Sequence, residues 1–260
     1  MSTVSLPQYG IKQDLHTHTT YCDGKNTPRE MIEAAIARGL CRIGFSGHSP
    51  SPCPDEDYAM KAEDVPRYVA EIRALAEEYR DRIEVLCGIE QDVYSPPAPE
   101  GLDYIIGSVH YVKVGEHFFA VDISPEDLRK NCDAYFGGDV YAMIEAYFAG
   151  YERLAQLNFD IVGHIDLITK FNRDGAFFDE QDERYLAAVR RAIDSLLPTG
   201  AYFEINTGAM SRGYRDTPYP APWILSYIRE RGGKFILSGD THRAENLCYG
   251  FDTWCKLLSC

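Results

Sequence analysis

The chain contains 260 residues, of which 45% are hydrophobic and 25% are charged, which is enough for one large α/β domain or two small ones. Its 40 Asp and Glu residues outnumber the 26 Lys and Arg residues, and the net charge of −14 argues against sequence-independent binding of nucleic acid, because the phosphate backbone would be repelled. No apolar run approaches the roughly 20 residues that a membrane-spanning helix requires. We therefore expect neither a nucleic-acid partner nor a membrane partner.

The cysteines and the N-terminal segment indicate a cellular compartment. Eight cysteines are spread along the chain without a CxxC pair. This spacing is not that of a disulfide framework or of a structural zinc ribbon, and we expect the cysteines to be small apolar core residues. The first residues lack the basic and apolar regions of a secretory signal peptide. The sequence therefore predicts a soluble, cytoplasmic protein with reduced thiols.

Short apolar or β-branched segments alternate with amphipathic segments along the chain. The predicted strands are residues 10–16, 41–46, 82–90, 102–110, 159–165, 201–207 and 234–240. The predicted helices are residues 27–39, 63–80, 140–157, 182–197 and 221–232. This alternation is typical of parallel sheets built from βαβ units. Seven strands favour a barrel or near-barrel in the α/β class, and an open doubly wound sheet is the second possibility.

The first predicted helix has boundary signals at both ends. Thr27 is a predicted N-cap residue, Pro28 occupies the first helical position, and Glu30 completes a capping box. Gly39 lies just beyond the end of the helix. These signals are local, so they predict the helix without reference to the rest of the fold.

Two segments interrupt the alternation. Residues 49–64 are rich in proline and acidic residues, and residues 111–139 are long for a loop between a strand and a helix. Loops of this length in a compact domain usually have a function or are mobile. We expect residues 1–260 to form a single domain in which the insertion at about 111–139 covers the substrate.

Six of the seven histidines fall at the C-terminal end of a predicted strand. They are His16, His18, His48, His110, His164 and His242, and Glu90 and Asp240 occupy similar positions. In parallel α/β folds these strand ends line one face, where the active site is built. A single histidine there is usually a structural residue. Six on one edge, joined by Glu90, Asp23 and Asp240, indicate a metal site.

The ligand types limit the number and identity of the ions. Six imidazoles and three carboxylates exceed the needs of one zinc ion and suit about two or three ions. Imidazole and carboxylate without thiolate are typical of zinc, iron or manganese sites. We therefore predict two to three divalent metal ions as cofactors.

The order of these motifs resembles the polymerase and histidinol phosphatase (PHP) superfamily, and more narrowly its monofunctional histidinol-phosphate phosphatases. The matching segments run from residue 14 to about residue 250 in the order of the family: DLHTHTTYCDG, GFSGHSP, GIEQDVY, IIGSVHYV, IVGHIDLITKF, EINTGA and SGDTHRAENL. The resemblance implies a distorted (β/α)7 barrel, a relative of the TIM barrel, with a trinuclear metal centre at the C-terminal ends of the strands. The independent count of seven predicted strands agrees with this fold.

The resemblance also implies how the ligands are distributed over three ions. The first ion would be bound by His16, His18, Glu90 and Asp240. The second would be bound by His110 and His164, with Glu90 as a bridge, and the third by Asp23, His48 and His242. The chain departs from the family at Gly47, where many relatives carry glutamate, but His48 is present.

The activity that the resemblance implies is hydrolysis of L-histidinol phosphate, a step of histidine biosynthesis, by a metal-bridging hydroxide that attacks phosphorus in line. Asp240 and His242 are the predicted catalytic residues, and either His242 or a metal-bound water would protonate the leaving oxygen. A phosphate dianion attracts basic side chains. The candidates are Lys170, Arg212 and Arg243, with Arg215 as a further possibility.

Residues near these motifs are candidates for supporting roles. An acidic rim would suit the cationic amine and imidazole of the substrate, and Asp92, Tyr94 and Asp122 are near enough in sequence to form it. Glu204 and Asn206 end the sixth predicted strand. We expect Asn206 to fix the following loop, and Glu204 to point inward or to support the metal ligands.

Other functions fit parts of the pattern. A PHP-family phosphoesterase could act on a nucleotide or on another small phosphate ester. An amidohydrolase-like enzyme would use a lysine on a strand, for which we find no match, and a polymerase-associated exonuclease is disfavoured by the acidic charge. A metal-binding protein without activity would bind ions but turn over no ester. Cys22 is an alternative nucleophile, but it lacks the C-x5-R signature of cysteine phosphatases.

Overall fold

The computed structural model describes residues 5–6, 10–53 and 58–258 of the chain. The strands are β1 Gln13–Asp14, β2 Arg42–Phe45, β3 Glu84–Asp92, β4 Tyr104–Ser108, β5 Tyr111–Val114, β6 His117–Ala120, β7 Ile161–Val162, β8 Tyr202–Asn206 and β9 Lys234–Ser238. Within the described residues, seven of them form one sheet in the order β1-β2-β3-β4-β7-β8-β9. All neighbouring strands in this sheet are parallel, as the alternation of segments predicts.

Helices follow or precede most of these strands. They are α1 Pro28–Ala37, α2 Val65–Tyr79, α3 Pro125–Phe136, α4 Val140–Leu154, α5 Glu183–Leu196, α6 Gly208–Ser211, α7 Pro222–Glu230 and α8 Phe251–Trp254. The capping box at the start of α1 is confirmed, because Thr27 accepts a hydrogen bond from Glu30 N while the Glu30 side chain accepts one from Thr27 N. In the described parts of the chain, no helix is both long enough and apolar enough to cross a membrane.

The sheet closes on itself into a nearly complete barrel. A parallel bridge pairs Thr17, just beyond β1, with Thr241, just beyond β9. His18 N donates to Thr241 O at 2.9 Å, and Thr241 N donates to His16 O at 2.9 Å. These bonds confirm the predicted distorted (β/α)7 barrel. They exclude the open doubly wound sheet, in which the first and last strands would not meet.

Apart from β3, the strands of the barrel end one to three residues earlier than the sequence predicts, and the predicted ligands other than Glu90 lie in the connections that follow. The prediction of a strand over 234–240 was wrong at its C-terminal end, because β9 stops at Ser238 and Asp240 has a left-handed backbone with a φ of 46°. Asp240 and His242 therefore come together through a turn and not by strand alternation. His164 likewise lies two residues beyond Val162, the last residue of β7.

The insertion at 111–139 has regular structure for most of its length. β5 and β6 form an antiparallel hairpin that pairs Tyr111 with Ala120. The helix α3 follows, capped by the Ser124 side chain, which accepts a hydrogen bond from Asp127 N. Phe119 is buried in the largest apolar cluster. The long loop expected here is thus a hairpin followed by a helix, and the four-residue strands of the hairpin are too short to give a period-two signal.

The interior of the barrel is filled by close packing of apolar and aromatic side chains. Tyr104 is 1% exposed and donates a hydrogen bond from its hydroxyl to Leu15 O at 2.5 Å. Gly44 and Gly88 leave the room for its ring, because a Cβ atom at either position would collide with it. The motifs with the predicted metal ligands therefore lie above a closely packed core, at the C-terminal mouth of the barrel.

Candidate metal centre

Glu90, in β3, lies at the centre of the predicted ligands. Its Oε1 atom is 2.9 Å from Nε2 of His164 and 3.2 Å from Nε2 of His110. Its Oε2 atom is 2.9 Å from Nδ1 of His48 and 3.2 Å from Nε2 of His16. One buried carboxylate thus reaches histidines that follow four different strands.

Two further carboxylates join the remaining histidines to this group. Oδ1 of Asp240 is 3.4 Å from Nε2 of His18 and 3.4 Å from Nδ1 of His242. Oδ2 of Asp23 is 3.0 Å from Nε2 of His242, and its Oδ1 is 3.7 Å from Nε2 of His48. The rings of His18 and His242 stack with centroids 4.1 Å apart. All nine predicted ligands therefore lie together at the mouth of the barrel.

The nine side chains form four overlapping groups whose ligand atoms lie within 4.8 Å of one another. The groups are His18, Asp23, His48 and His242; His16, Glu90 and His164; His16, His18 and Asp240; and His48, Glu90 and His110. The first and third groups overlap with the distribution that the family resemblance implies. His110 and His164 share Glu90 but fall in different groups. The assignment of ligands to individual ions stays a prediction.

Several polar atoms of this cluster are buried without a hydrogen-bond partner in the described structure. They are Nε2 of His16, Nε2 of His18, Oδ1 of Asp23 and Oε2 of Glu90. Burying an unsatisfied polar atom is unfavourable by about 1–3 kcal/mol, so a concentration of such atoms indicates a bound group. Imidazole nitrogens and carboxylate oxygens are the donors that zinc, iron and manganese prefer. The residues therefore fit a centre of several divalent ions.

The electrostatic environment favours the forms that bind metal at two of these residues. Burial, followed by the neighbouring His242 and His48, lowers the pKa of His18 to about 3, so its imidazole is neutral and has a free lone pair. Burial alone would raise the pKa of Glu90, but His16 and His48 hold it well below its usual range. His18 and Glu90 are therefore in the protonation states that bind a divalent cation.

Glu204, in β8, positions two of the histidines. Its Oε1 atom is 2.6 Å from Nδ1 of His16, and its Oε2 atom accepts hydrogen bonds from His164 N and from Asn206 Nδ2, both at 3.0 Å. A carboxylate on Nδ1 leaves Nε2 of His16 directed at the cluster. The expectation that Glu204 supports the ligands agrees with this geometry, although its contact with His16 spans 188 residues and is not readable from the sequence.

A pocket of about 610 Å³ opens onto the cluster. The three predicted substrate-binding residues, Lys170, Arg212 and Arg243, all line it, together with Asp240 and His242. Arg212 donates from Nη2 to Oδ2 of Asp240 at 2.9 Å. Burial would lower the pKa of Arg212, but Asp240 raises it above its usual value, so the guanidinium remains charged. The pocket thus places cationic groups directly beside the predicted metal ligands.

The other candidates for substrate contact lie in different places. Arg215 does not line this pocket; it donates a hydrogen bond to Oγ1 of Thr169 and lies 4.6 Å from the centre of the Tyr219 ring. Asp92 lies next to His110, and its carboxylate accepts a hydrogen bond from the backbone N of His110 at 2.8 Å. Asp122 lines the pocket, as the acidic-rim prediction requires.

Comparison with known proteins identifies the family of the chain. Residues 14–208 match the model of the PHP domain. The chain belongs to the PHP domain family. A relative described as a probable histidinol-phosphatase, from Deinococcus radiodurans, is 32% identical over 253 residues, which cover 92% of this chain and 89% of that protein. The histidinol-phosphatase of Bacillus subtilis is 25% identical, with 94% of this chain and 98% of that protein covered.

A solved structure shows the same PHP fold. It is a histidinol phosphate phosphatase from Lactococcus lactis complexed with zinc, L-histidinol and phosphate. Its TM-score is 0.71 at 22% identity, and the match covers 96% of this chain and 93% of that chain. The nearly closed barrel of this chain is therefore that of a known PHP protein over almost its whole length.

Asp14 is a residue of this PHP site that the sequence analysis missed. It is fully buried, and it accepts hydrogen bonds from Gly239 N and from Oγ1 of Thr241, both at 3.0 Å. It thereby holds the end of β9 against β1 and places Asp240 beside His16. The only signal in the sequence is an acidic residue in the first predicted strand, two residues before the His-x-His motif.

Cys22 lies close to the cluster, with its Sγ atom 3.5 Å from Nδ1 of His18. Burial, with a further contribution from Asp23, raises the pKa of its thiol to about 12. At neutral pH the group is therefore a thiol and not the thiolate that a nucleophile requires. This argues against the alternative in which Cys22 attacks the phosphate.

Proposed function

We propose that this PHP protein is a metal-dependent phosphomonoesterase that hydrolyses L-histidinol phosphate to L-histidinol and phosphate. The observation that carries the proposal is the assembly of nine candidate nitrogen and oxygen ligands beside a pocket lined by four cationic side chains, among them the three predicted substrate-binding residues. Relatives that match over nearly their whole length are histidinol-phosphatases by name, and the Lactococcus lactis structure holds zinc, L-histidinol and phosphate. Site, fold and relatives therefore agree on one activity.

We further propose that the nine ligands hold two to three divalent ions, for which zinc, iron and manganese are the candidates. Glu90 suits a bridging position, because each of its oxygens faces a different set of histidines. Such ions, when bound, supply a water molecule that loses its proton near neutral pH and positive charge that offsets the phosphoryl oxygens. The protein contributes the positions of the ligands and of the groups that hold the ester.

The basic residues of the pocket have the chemistry to hold the phosphate. Lys170 and Arg212 are partly buried, with side chains 12% and 29% exposed, so their charges are less screened than those of surface residues. A guanidinium can bind two phosphate oxygens at once. We propose that Lys170 and Arg212 bind the phosphate and that Arg243, at the exposed edge, attracts it.

His242 and Asp240 connect the cluster to the pocket, and we propose that both act in catalysis. Nδ1 of His242 lies 3.0 Å from the carbonyl oxygen of Asp240. The same nitrogen lies 2.9 Å from Nη1 of Arg212, and the His242 ring lines the pocket. His242 is accordingly the candidate donor to the leaving oxygen. Burial alone would raise the pKa of Asp240, but Arg212 and His16 keep it well below its usual range, so Asp240 remains an anionic ligand.

The insertion borders the pocket, and we propose that it covers the substrate. Asp122 and Ile123 lie between β6 and α3, and both line the pocket. Lys170, in the connection that follows β7, donates to Asp122 O at 2.8 Å. This hydrogen bond joins the insertion to the connection that follows β7, and it supports the proposed position of the insertion over the substrate.

The proposal is tested by phosphate release from L-histidinol phosphate, AMP and p-nitrophenyl phosphate, with protein of measured metal content. We expect L-histidinol phosphate to be preferred at least about tenfold, and His16→Ala to abolish the activity. His117→Ala is the matched control, because His117 is an exposed histidine of the hairpin and should change nothing. Equal turnover of all three esters would contradict the substrate, and absence of turnover with metal bound would contradict the enzyme.

A further inference from the structure

The acidic residues that line the pocket differ in whether they also belong to the candidate metal-ligand cluster. Among the described residues, the acidic side chains that line it are Asp23, Asp122, Asp240 and Glu245. Asp23 and Asp240 belong to the metal-ligand cluster. Asp122 and Glu245 do not, and Glu245 is exposed to solvent whereas the Asp122 side chain is only 26% exposed. Asp122 is therefore the pocket carboxylate best placed to bind a cationic ligand strongly.

Asp122 is paired with a residue that the phosphate would also bind. Nζ of Lys170 is 3.2 Å from Oδ2 of Asp122. Burial would raise the pKa of Asp122, but Lys170, followed by His110, lowers it, so the carboxylate is ionised. A cation and an anion that face one pocket thus neutralise each other in the structure.

Large apolar groups flank this ion pair at the mouth of the pocket. Ile123 is 56% exposed and Tyr214 is 44% exposed, although both are bulky and line the pocket. Nζ of Lys170 lies 4.9 Å from the centre of the Tyr214 ring. Exposed apolar side chains around a binding site commonly contact the apolar part of a ligand. The surroundings of Asp122 therefore suit a ring that carries a nearby positive charge.

We propose that Asp122 makes the enzyme specific for phosphate esters that also carry an ammonium group. A substrate with both charges replaces both members of the Lys170–Asp122 pair, since its phosphate binds Lys170 and its ammonium group binds Asp122. An ester without the ammonium group draws Lys170 away and leaves a partly buried carboxylate without a partner. That arrangement is unfavourable, so the simpler ester binds less well.

This inference rests on the proposed function but can fail independently of it. The test compares kcat/KM for L-histidinol phosphate with that for the analogue in which hydrogen replaces the amino group. Wild-type protein should prefer the amine by about 10- to 100-fold. Asp122→Asn should remove most of that preference, mainly by raising KM for L-histidinol phosphate. Asp122→Glu keeps the charge and should keep most of the preference.

Glu245→Gln is the matched control, because it removes an acidic side chain from the same pocket at an exposed position. It should leave the preference for the amine unchanged. Equal loss of activity on both esters in a folded, metal-loaded Asp122→Asn protein would overturn the role of Asp122. A loss of preference in Glu245→Gln of the same size would also overturn it. If wild-type protein hydrolyses neither ester, the proposed function fails and the inference fails with it.

Discussion

Glu90 and Glu204 have different roles although both are fully enclosed glutamates at the mouth of the barrel. Glu90 directs both oxygens into the cluster, where Oε2 has no hydrogen-bond partner. Glu204 uses both oxygens for hydrogen bonds, to His16 and to His164 N. We infer that Glu90 is a ligand and that Glu204 fixes the orientation of a ligand.

The difference predicts the effect of Glu204→Gln. The amide oxygen can still accept a hydrogen bond from Nδ1 of His16, but the negative charge that strengthens this histidine as a ligand is lost. The dissociation constant for zinc should rise by about 10- to 100-fold. Competition with a chromogenic chelator measures it, and Glu100→Gln, at an exposed glutamate, is the control. A lower melting temperature of the metal-free protein with unchanged zinc affinity would show that Glu204 is only structural.

Single residues were the part of the site best predicted from the sequence. Eight of the nine candidate ligands follow from residue type and from position at the end of a predicted strand, and the structure brings these eight together with Asp23, while their binding of metal stays a prediction. Glu204 was placed correctly at the edge of the site but without its partner. Asp14 was missed, because a buried aspartate that holds two backbone segments looks like any other acidic residue before the fold is known.

At the scale of elements, α1 was predicted closely because its signals are local. Thr27, Pro28 and Glu30 define its start within four residues. The short strands were predicted less well. β7 pairs with each of its neighbours through only two residues and ends at Val162, so its length depends on β4 and β8 and not on a pattern in its own sequence. The turn that places Asp240 depends on a hydrogen bond from Gly239 N to Asp14, which lies near the other end of the chain.

The cap of α1 gives a prediction about stability. In Thr27→Ala the side chain can no longer accept the hydrogen bond from Glu30 N, so one backbone donor at the helix start loses its partner. The free energy of unfolding should fall by about 1 kcal/mol. Urea denaturation followed by circular dichroism measures the change. Thr27→Ser, which keeps the hydroxyl, should behave as wild type, and an equal loss in both variants would refute the capping argument.

At the scale of the whole molecule, barrel closure creates the site. The Thr17–Thr241 bridge brings the first histidines of the chain against the last one, so that His18 and His242 stack. The number of barrel strands and their order were predictable, because each motif follows its own strand, whereas the hairpin of β5 and β6 was not predicted. The distances between motifs were not, since they depend on how far the sheet curls before it closes.

The central claim is that the ions held at this mouth are required for hydrolysis of L-histidinol phosphate. The most direct test is to remove metal from the purified protein, confirm its absence by elemental analysis, and measure phosphate release as zinc is added in equivalents. Iron and manganese are added in parallel series. We predict no activity without metal and a rise that levels off at two to three equivalents of the effective ion. Full activity of the metal-free protein would contradict the account.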